Sequence, residues 1–234
     1  MYARFFKRAI DLLLSLVACI ILLPLLVALT IVGAIAMRGN PFFVQPRPGK
    51  KDKNGNEKIF CLLKFRTMTN QRDANGKLLP DEQRLGSYGK FLRSTSADEL
   101  PSLVNIVKGD LAIVGPRPQL VRDMVFMTAE QRRRHDVRPG LTGLAQVNGR
   151  NNITWEQKFN YDLAYIDNGI TLVGDVKILI RTVGKVLKRA DTVREGTVSD
   201  MDFGDWLMQE GKIVAAEYEE KQSKAKKLLL TSRG

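Results

Sequence analysis

From Leu12 to Met37 the chain carries no charged residue across 26 positions. As one straight helix this run would be about 39 Å long, enough to cross a hydrocarbon core of about 30 Å. Pro24 falls near its middle. Proline removes a helix hydrogen bond and clashes with the preceding turn, so it kinks or breaks the helix. The halves 12–23 and 25–37 are each about 18–20 Å long, and neither spans alone. A cleaved signal peptide would use Arg4, Lys7 and Arg8 as its basic start and Ala34-Ile35-Ala36 as its cleavage site. Its usual apolar stretch of about 7–15 residues is far shorter than this one. A spanning anchor is the second reading. Basic residues flank the run on both sides: Arg4, Lys7 and Arg8 before it, Arg38, Arg47, Lys50, Lys51 and Lys53 after it. Basic flanks prefer the cytoplasmic side. A helix that enters, bends at Pro24 and returns keeps both flanks there, so the pattern favours a re-entrant hairpin. Arg8 and Asp11, three residues apart, are expected to pair at the level of the lipid headgroups.

Beyond Met37 the pattern becomes that of a soluble domain. Residues 41–49 read as a short strand entering a Pro/Gly turn, Asn54-Gly55 as a hairpin turn, and 59–65 as the returning strand. Residues 70–79 read as a loop and 81–92 as a helix. A second helix is expected over 99–107, with Leu100, Leu103, Val104 and Val107 on one face and Lys108-Gly109 as its stop. A strand over 111–114 leads into the stiff turn Gly115-Pro116-Arg117-Pro118. Helices are expected over 119–134, 154–165 and 171–188, and a charge-rich frayed helix or tail over 217–227. This divides the chain into a membrane helix-break-helix (1–40), a catalytic domain (41–190) and a C-terminal extension (191–234).

Composition narrows the function. The 234 residues, 44% hydrophobic and 26% charged, suffice for a folded core. Lys plus Arg outnumber Asp plus Glu by 37 to 25, a net charge of +12, which calls for an anionic partner. The basic residues are scattered without interleaved aromatics or a helix-turn-helix pattern, which argues against nucleic acid. There is no Walker A loop and no GxGxxG. Two cysteines, Cys19 and Cys61, make neither a disulfide framework nor a zinc site. A single histidine, His135, reads as a structural side chain.

Asp98 and Glu99 are adjacent carboxylates at the start of an expected helix. Ser96-Ala97-Asp98-Glu99 fits a capping box, so a purely structural role competes with a nucleophile or a ligand for a hard cation such as Mg²⁺. Arg117 stands between two prolines that fix its loop, and a guanidinium matches phosphate in bidentate fashion. Lys64, Arg66, Arg93, Arg138 and Arg150 add cations beside strands, Gly or Pro. With two carboxylates they would suit Mg²⁺ and a diphosphate.

In order along the chain stand Lys7-Arg8-Ala9-Ile10-Asp11 before the Pro-broken helix, Phe43-Val44-Gln45-Pro46-Arg47-Pro48-Gly49, and Lys64-Phe65-Arg66-Thr67-Met68. Asp98-Glu99-Leu100-Pro101, Asn105-Ile106-Val107-Lys108-Gly109-Asp110 and Val114-Gly115-Pro116-Arg117-Pro118 follow. The series ends with residues 138–150, from Arg138-Pro139-Gly140 to Asn148-Gly149-Arg150. Over residues 1–189 this resembles the bacterial sugar transferases, the monotopic phosphoglycosyl transferases. Its size is similar to the small bacillosamine-type enzymes of N-linked protein glycosylation. Leu23-Pro24 departs from the Ser-Pro break common in that family.

The resemblance implies an α/β enzyme with a re-entrant N-terminal membrane helix and a small helix-rich catalytic domain with short strands, at the cytoplasmic face of the bacterial inner membrane. It implies transfer of a sugar phosphate from a UDP-sugar, such as UDP-N,N'-diacetylbacillosamine, to undecaprenyl phosphate, with release of UMP. Asp98 would be the nucleophile and Mg²⁺ the cofactor, held by Asp98 and Glu99. Lys64, Arg93, Arg117, Arg150 and Asp162 match further site positions. Two other readings stand beside it: a polyprenol-linked transferase using one direct displacement, and a membrane-tethered, non-enzymatic protein that binds anionic lipid or nucleic acid.

Overall fold

The computed structural model describes residues 1–149, 152–188 and 201–231. After a π-helical turn, Tyr2–Phe6, come α1 (Lys7–Ile21) and α2 (Leu23–Met37). The break lies at Leu22, with Pro24 in the first turn of α2, where its missing N–H costs least. The two helices meet at a bend of 64°. Among the described residues no single helix is long and apolar enough to cross a membrane, and this bent pair passes only as a pair.

One side of the pair is tied down. Arg8 donates from Nη1 to Ile106 O at 2.5 Å and from Nη2 to Val107 O at 2.9 Å, satisfying carbonyls at the end of α5 (Leu103–Lys108). Asp11 is buried, lies 3.9 Å from Lys7, and accepts from the Ile113 N–H at 3.3 Å. The expected Arg8–Asp11 pair is therefore replaced. Both side chains dock the helix onto the domain through backbone groups of α5 and of the strand that follows it. Asp175 accepts from Tyr2 Oη (2.8 Å), Lys7 Nζ (2.6 Å) and Tyr165 Oη (2.8 Å). Tyr88 Oη donates to Leu29 O in α2 at 2.8 Å. The other side, including Leu13, Val17, Ile20, Ile31 and Ile35, is exposed.

The hairpin β1 (Phe42–Lys51) and β2 (Glu57–Phe65) pairs antiparallel, with Phe42 opposite Phe65 and Pro48 opposite Ile59. β1 continues through Pro46, Arg47 and Pro48 where a turn was expected. In a two-stranded sheet each strand is an edge, so the prolines need donate nothing to the ladder. The helix expected over 81–92 is split at Gly86 into α3 (Asp81–Arg84) and α4 (Ser87–Thr95). The next starts as a 3₁₀ turn, Ala97–Ser102, containing Pro101, and becomes α5 only at Leu103. β3 (Ala112–Val114) pairs in parallel with β4 (Gly140–Thr142). The helix expected over 119–134 is reduced to α6 (Val121–Met124) and a 3₁₀ turn, Gln131–Asp136. Thr128 and Gln131 exchange side-chain and backbone hydrogen bonds and open the new turn. α7 (Leu144–Val147), α8 (Trp155–Asp167) and α9 (Leu172–Leu187) complete the domain.

α10 (Phe203–Gln209) and α11 (Ala215–Thr231) fold back onto it. Phe203 and Trp206 join Phe126, Trp155 and Phe159 in one aromatic cluster, and Ala225 packs against Val121 and Met124. The stretch expected as a frayed helix or tail is thus a helix, with a buried contact at Ala225.

His135 is the structural residue expected. It is buried, and its Nδ1 lies 3.2 Å from Glu57 Oε1. Burial pushes its imidazole down to about 4, while the Glu57 carboxyl, bonded to His135 and Arg132, falls to about 2. A neutral histidine that must charge on unfolding favours the unfolded state as pH falls from about 6.5 towards 4. That costs about 3 kcal/mol over the window. Thermal melts between pH 7 and 4 should show it, and His135→Gln should flatten the decline above pH 4.5, where Glu57 is still ionised.

Candidate active site

Gly115-Pro116-Arg117-Pro118 leaves β3 where it crosses the loop around β4. A Cβ on Gly140 would lie 2.1 Å from Gly115 N, and one on Gly143 would lie 2.1 Å from Gly115 O. Only glycines allow this approach. It brings the Arg117 loop against the 3₁₀ turn that bears Asp98 and Glu99. A partly open cleft lies there, lined by Arg47, Lys64, Glu99, Ser102 and Arg117 among others.

Glu99 Oε1 accepts from Lys64 Nζ at 2.7 Å and from Arg117 Nη2 at 3.2 Å. Burial pulls the Lys64 ammonium below its usual range and Arg117 adds to this, whereas Glu99 and Asp98 oppose it. Arg93 donates to Thr67 Oγ1 at 3.1 Å. Its guanidinium is also lowered by burial and supported by the charge of Asp98. Asp98 therefore sits in the field of Lys64 and Arg93. The capping box does not form: Ser96 adopts a left-handed conformation (φ 56°) that ends α4, and its side chain makes no cap bond. The capping-box explanation thus loses its geometry; both carboxylates still lie in the first turn of the 3₁₀ helix, within the field of nearby cations.

Lys64, Glu99 and Arg117 come together as expected, with Asp98 and Arg93 beside them. Arg150 lies outside the described residues. Asp162 does not line the cleft. It is 1% exposed, on α8, and paired with equally buried Arg134. Its burial and its pairing set it apart from the side chains that line the cleft. Arg47 was expected as part of a basic flank and of the motif at residues 43–49, with no role in the site. It donates to Pro118 O at 3.0 Å and Gln45 Oε1 at 2.6 Å, while its buried Nε has no hydrogen-bond partner. Its position on a strand between two prolines was the available signal. Lys64 and Arg117 on Glu99, with Arg47 in the wall, give the cleft a cationic lining of the kind that suits an anion.

For a metal, no group of three or more His, Cys, Asp or Glu side chains is assembled among the described residues. Mg²⁺ is commonly held by one or two carboxylates together with substrate phosphates. Asp98 and Glu99 are compatible with that smaller demand.

A family model described as bacterial sugar transferase matches residues 2–189. The sugar transferase EpsL of Bacillus subtilis is 53% identical over 150 residues, covering 64% of this chain and 71% of its own length. The undecaprenyl-phosphate galactose phosphotransferase of Salmonella typhimurium is 32% identical over 205 residues, 80% of this chain and 41% of its own. The UDP-glucose:undecaprenyl-phosphate glucose-1-phosphate transferase of Klebsiella pneumoniae is 36% identical over 190 residues, 77% of this chain and 40% of its own. The chain thus spans less than half the length of these two named transferases. The match over most of the chain, on a fold whose cationic cleft is built from the matched segment, shows that it belongs to the bacterial sugar transferase family.

Proposed function

We propose that the chain transfers a sugar 1-phosphate from a UDP-sugar to undecaprenyl phosphate and releases UMP. The observation that carries this reading is the convergence of Arg47, Lys64 and Arg117 on one cleft beside Asp98 and Glu99. Such a set can bind a diphosphate and bring a carboxylate to it. Asp98 attacks the β-phosphorus, the bond from that phosphorus to the bridging oxygen breaks, and UMP leaves with the electron pair. The acceptor's phosphate oxygen then attacks the same phosphorus and Asp98 leaves as a carboxylate. Glu99 keeps Lys64 charged and holds Arg117 in place. Mg²⁺, held by Asp98 and Glu99 with the donor phosphates, supplies charge neutralisation when bound. Chelation is expected to stop UMP release, and added Mg²⁺ to restore it.

The resemblance to the small enzymes suggests an acetylated amino sugar, whereas two of the relatives are named for galactose and glucose. The test is therefore UMP release from purified protein against UDP-N,N'-diacetylbacillosamine, UDP-galactose and UDP-glucose. Release from none of them would overturn the reading. Binding of anionic lipid that survives neutralising Asp98 and Glu99, without turnover, would favour the non-enzymatic alternative.

We also read α1 and α2 as a re-entrant hairpin at the cytoplasmic face. The 64° bend, the exposed apolar side and the basic residues at both ends support this. The polar bonds from Arg8, Asp11 and Asp175 would hold the cleft at a fixed height beside the lipid phosphate. In a chain lacking Cys19 and Cys61, single cysteines at Tyr2 and Lys51 should be labelled from the same side of the membrane. Pro24→Ala restores a backbone donor and should shift the population towards opposite-side labelling. Opposite sides in the parent chain would overturn the hairpin.

A further inference from the structure

The Pro116-Arg117-Pro118 segment is held by its carbonyls. Its prolines have no N–H to donate, so the carbonyls are their only main-chain handles. Pro116 O accepts from the Gly140 N–H at 2.8 Å, Arg117 O from Arg134 Nη2 at 2.7 Å, and Pro118 O from Arg47 Nη1 at 3.0 Å. Three consecutive carbonyls are thus fixed from three different elements.

The middle one is the unusual case. Arg134 is 1% exposed, lies over the Phe159 ring, and gives the same Nη2 to Asp162. Taking two charges out of water costs several kcal/mol each, and well-packed apolar residues of similar volume often stabilise a fold as well or better. The pair is also incompletely satisfied: Arg134 Nε, Arg134 Nη1 and Asp162 Oδ1 have no hydrogen-bond partner. Stability alone is a poor reason for such a pair. An apolar replacement, however, could not hold the Arg117 carbonyl.

We propose that Arg134, anchored by Asp162, is a positioning residue that fixes the Arg117 backbone and so aims its guanidinium at the donor diphosphate. This rests on the transferase reading only in naming what Arg117 meets. It gives Asp162 a role that acts through two intermediates rather than by contact.

The test is the double variant Arg134→Met/Asp162→Leu, which removes both charges and keeps an apolar filling. It should fold, since neither charge is left unpaired. UMP release should show a donor KM raised about tenfold, with kcat changed far less. Arg117→Lys should raise KM in the parent chain and add little in the double variant, because both changes remove one interaction. Hydrogen exchange at the Gly140 amide, which needs no turnover, should be faster by about tenfold. Parent-like KM, a full Arg117→Lys effect and unchanged exchange would overturn the proposal. A parent chain inactive with every donor would overturn the transferase reading, while the exchange result would still decide whether the pair holds the loop. Should the double variant not fold, Arg134→Lys provides the same comparisons: its ammonium can pair with Asp162, but the side chain ends about one bond short of the Nη2 position that reaches both Asp162 and the Arg117 carbonyl. Parent-like kinetics and exchange in that variant would likewise refute the role.

Discussion

Asp98→Asn is expected to reduce UMP release by at least about a thousandfold, a loss of about 4 kcal/mol in barrier lowering. An amide is nearly the same shape as a carboxylate but has almost no nucleophilicity, and it is a poorer ligand for Mg²⁺. Folding should survive. Asp98 lies in a 3₁₀ turn and is half-buried, and an amide there is nearly isosteric with the carboxylate. Lys64 keeps its 2.7 Å bond to Glu99 in the variant, so the cleft retains a counter-charge. A thermal midpoint close to the parent's, measured with the activity, separates loss of chemistry from loss of fold. A folded Asp98→Asn chain with parent-like turnover would return Asp98 to a structural role.

Asp175→Ala is expected to have the largest effect on stability. One buried carboxylate serves Tyr2, Lys7 and Tyr165, and it joins α9 to the start of the hairpin. Its removal takes the nearest acceptor from an ammonium and two hydroxyls, leaving Lys7 with Asp11 at 3.9 Å and Tyr165 with Val114 O at 3.3 Å, and costs about 3–5 kcal/mol. For a chain of this size that corresponds to a fall of roughly 10 °C in unfolding midpoint. Asp175→Asn keeps an acceptor and should lose less. Per folded molecule, transfer to the lipid should suffer more than UMP release, since the variant loosens the hairpin and not the cleft. Equal loss in both half-reactions would argue that Asp175 only stabilises the fold.

Local chemistry made parts of this molecule legible. Pro24 marks the helix break because a missing N–H acts wherever it occurs. Asn54-Gly55 marks the hairpin for a similar reason: the turn conformation is decided within a few residues. Asp98, Glu99, Lys64 and Arg117 could be gathered on chemical grounds, and Glu99 does bond both cations. What escaped the sequence depends on burial. Arg132, Arg133 and Arg134 are three identical neighbours in one 3₁₀ turn, where successive side chains point about 120° apart. Arg132 goes to Glu57, Arg133 to exposed Glu130 and Asp167, and Arg134 inward to Asp162. Nothing in the run itself distinguishes the buried one. Asp162 was assigned to the site and lies behind it for the same reason. The helix expected over 119–134 failed where side chains at Thr128 and Gln131 offered the backbone a competing turn.

The central claim is a covalent phosphosugar on Asp98, and it is tested by incubating the full chain with UDP-sugar and Mg²⁺ in the absence of acceptor lipid. About one UMP should be released per chain, and the mass of the peptide containing Asp98 should rise by one sugar phosphate. Adding undecaprenyl phosphate should then remove that mass. If UMP appears only after the acceptor is added, and no peptide gains mass, transfer proceeds by direct displacement and the account is contradicted.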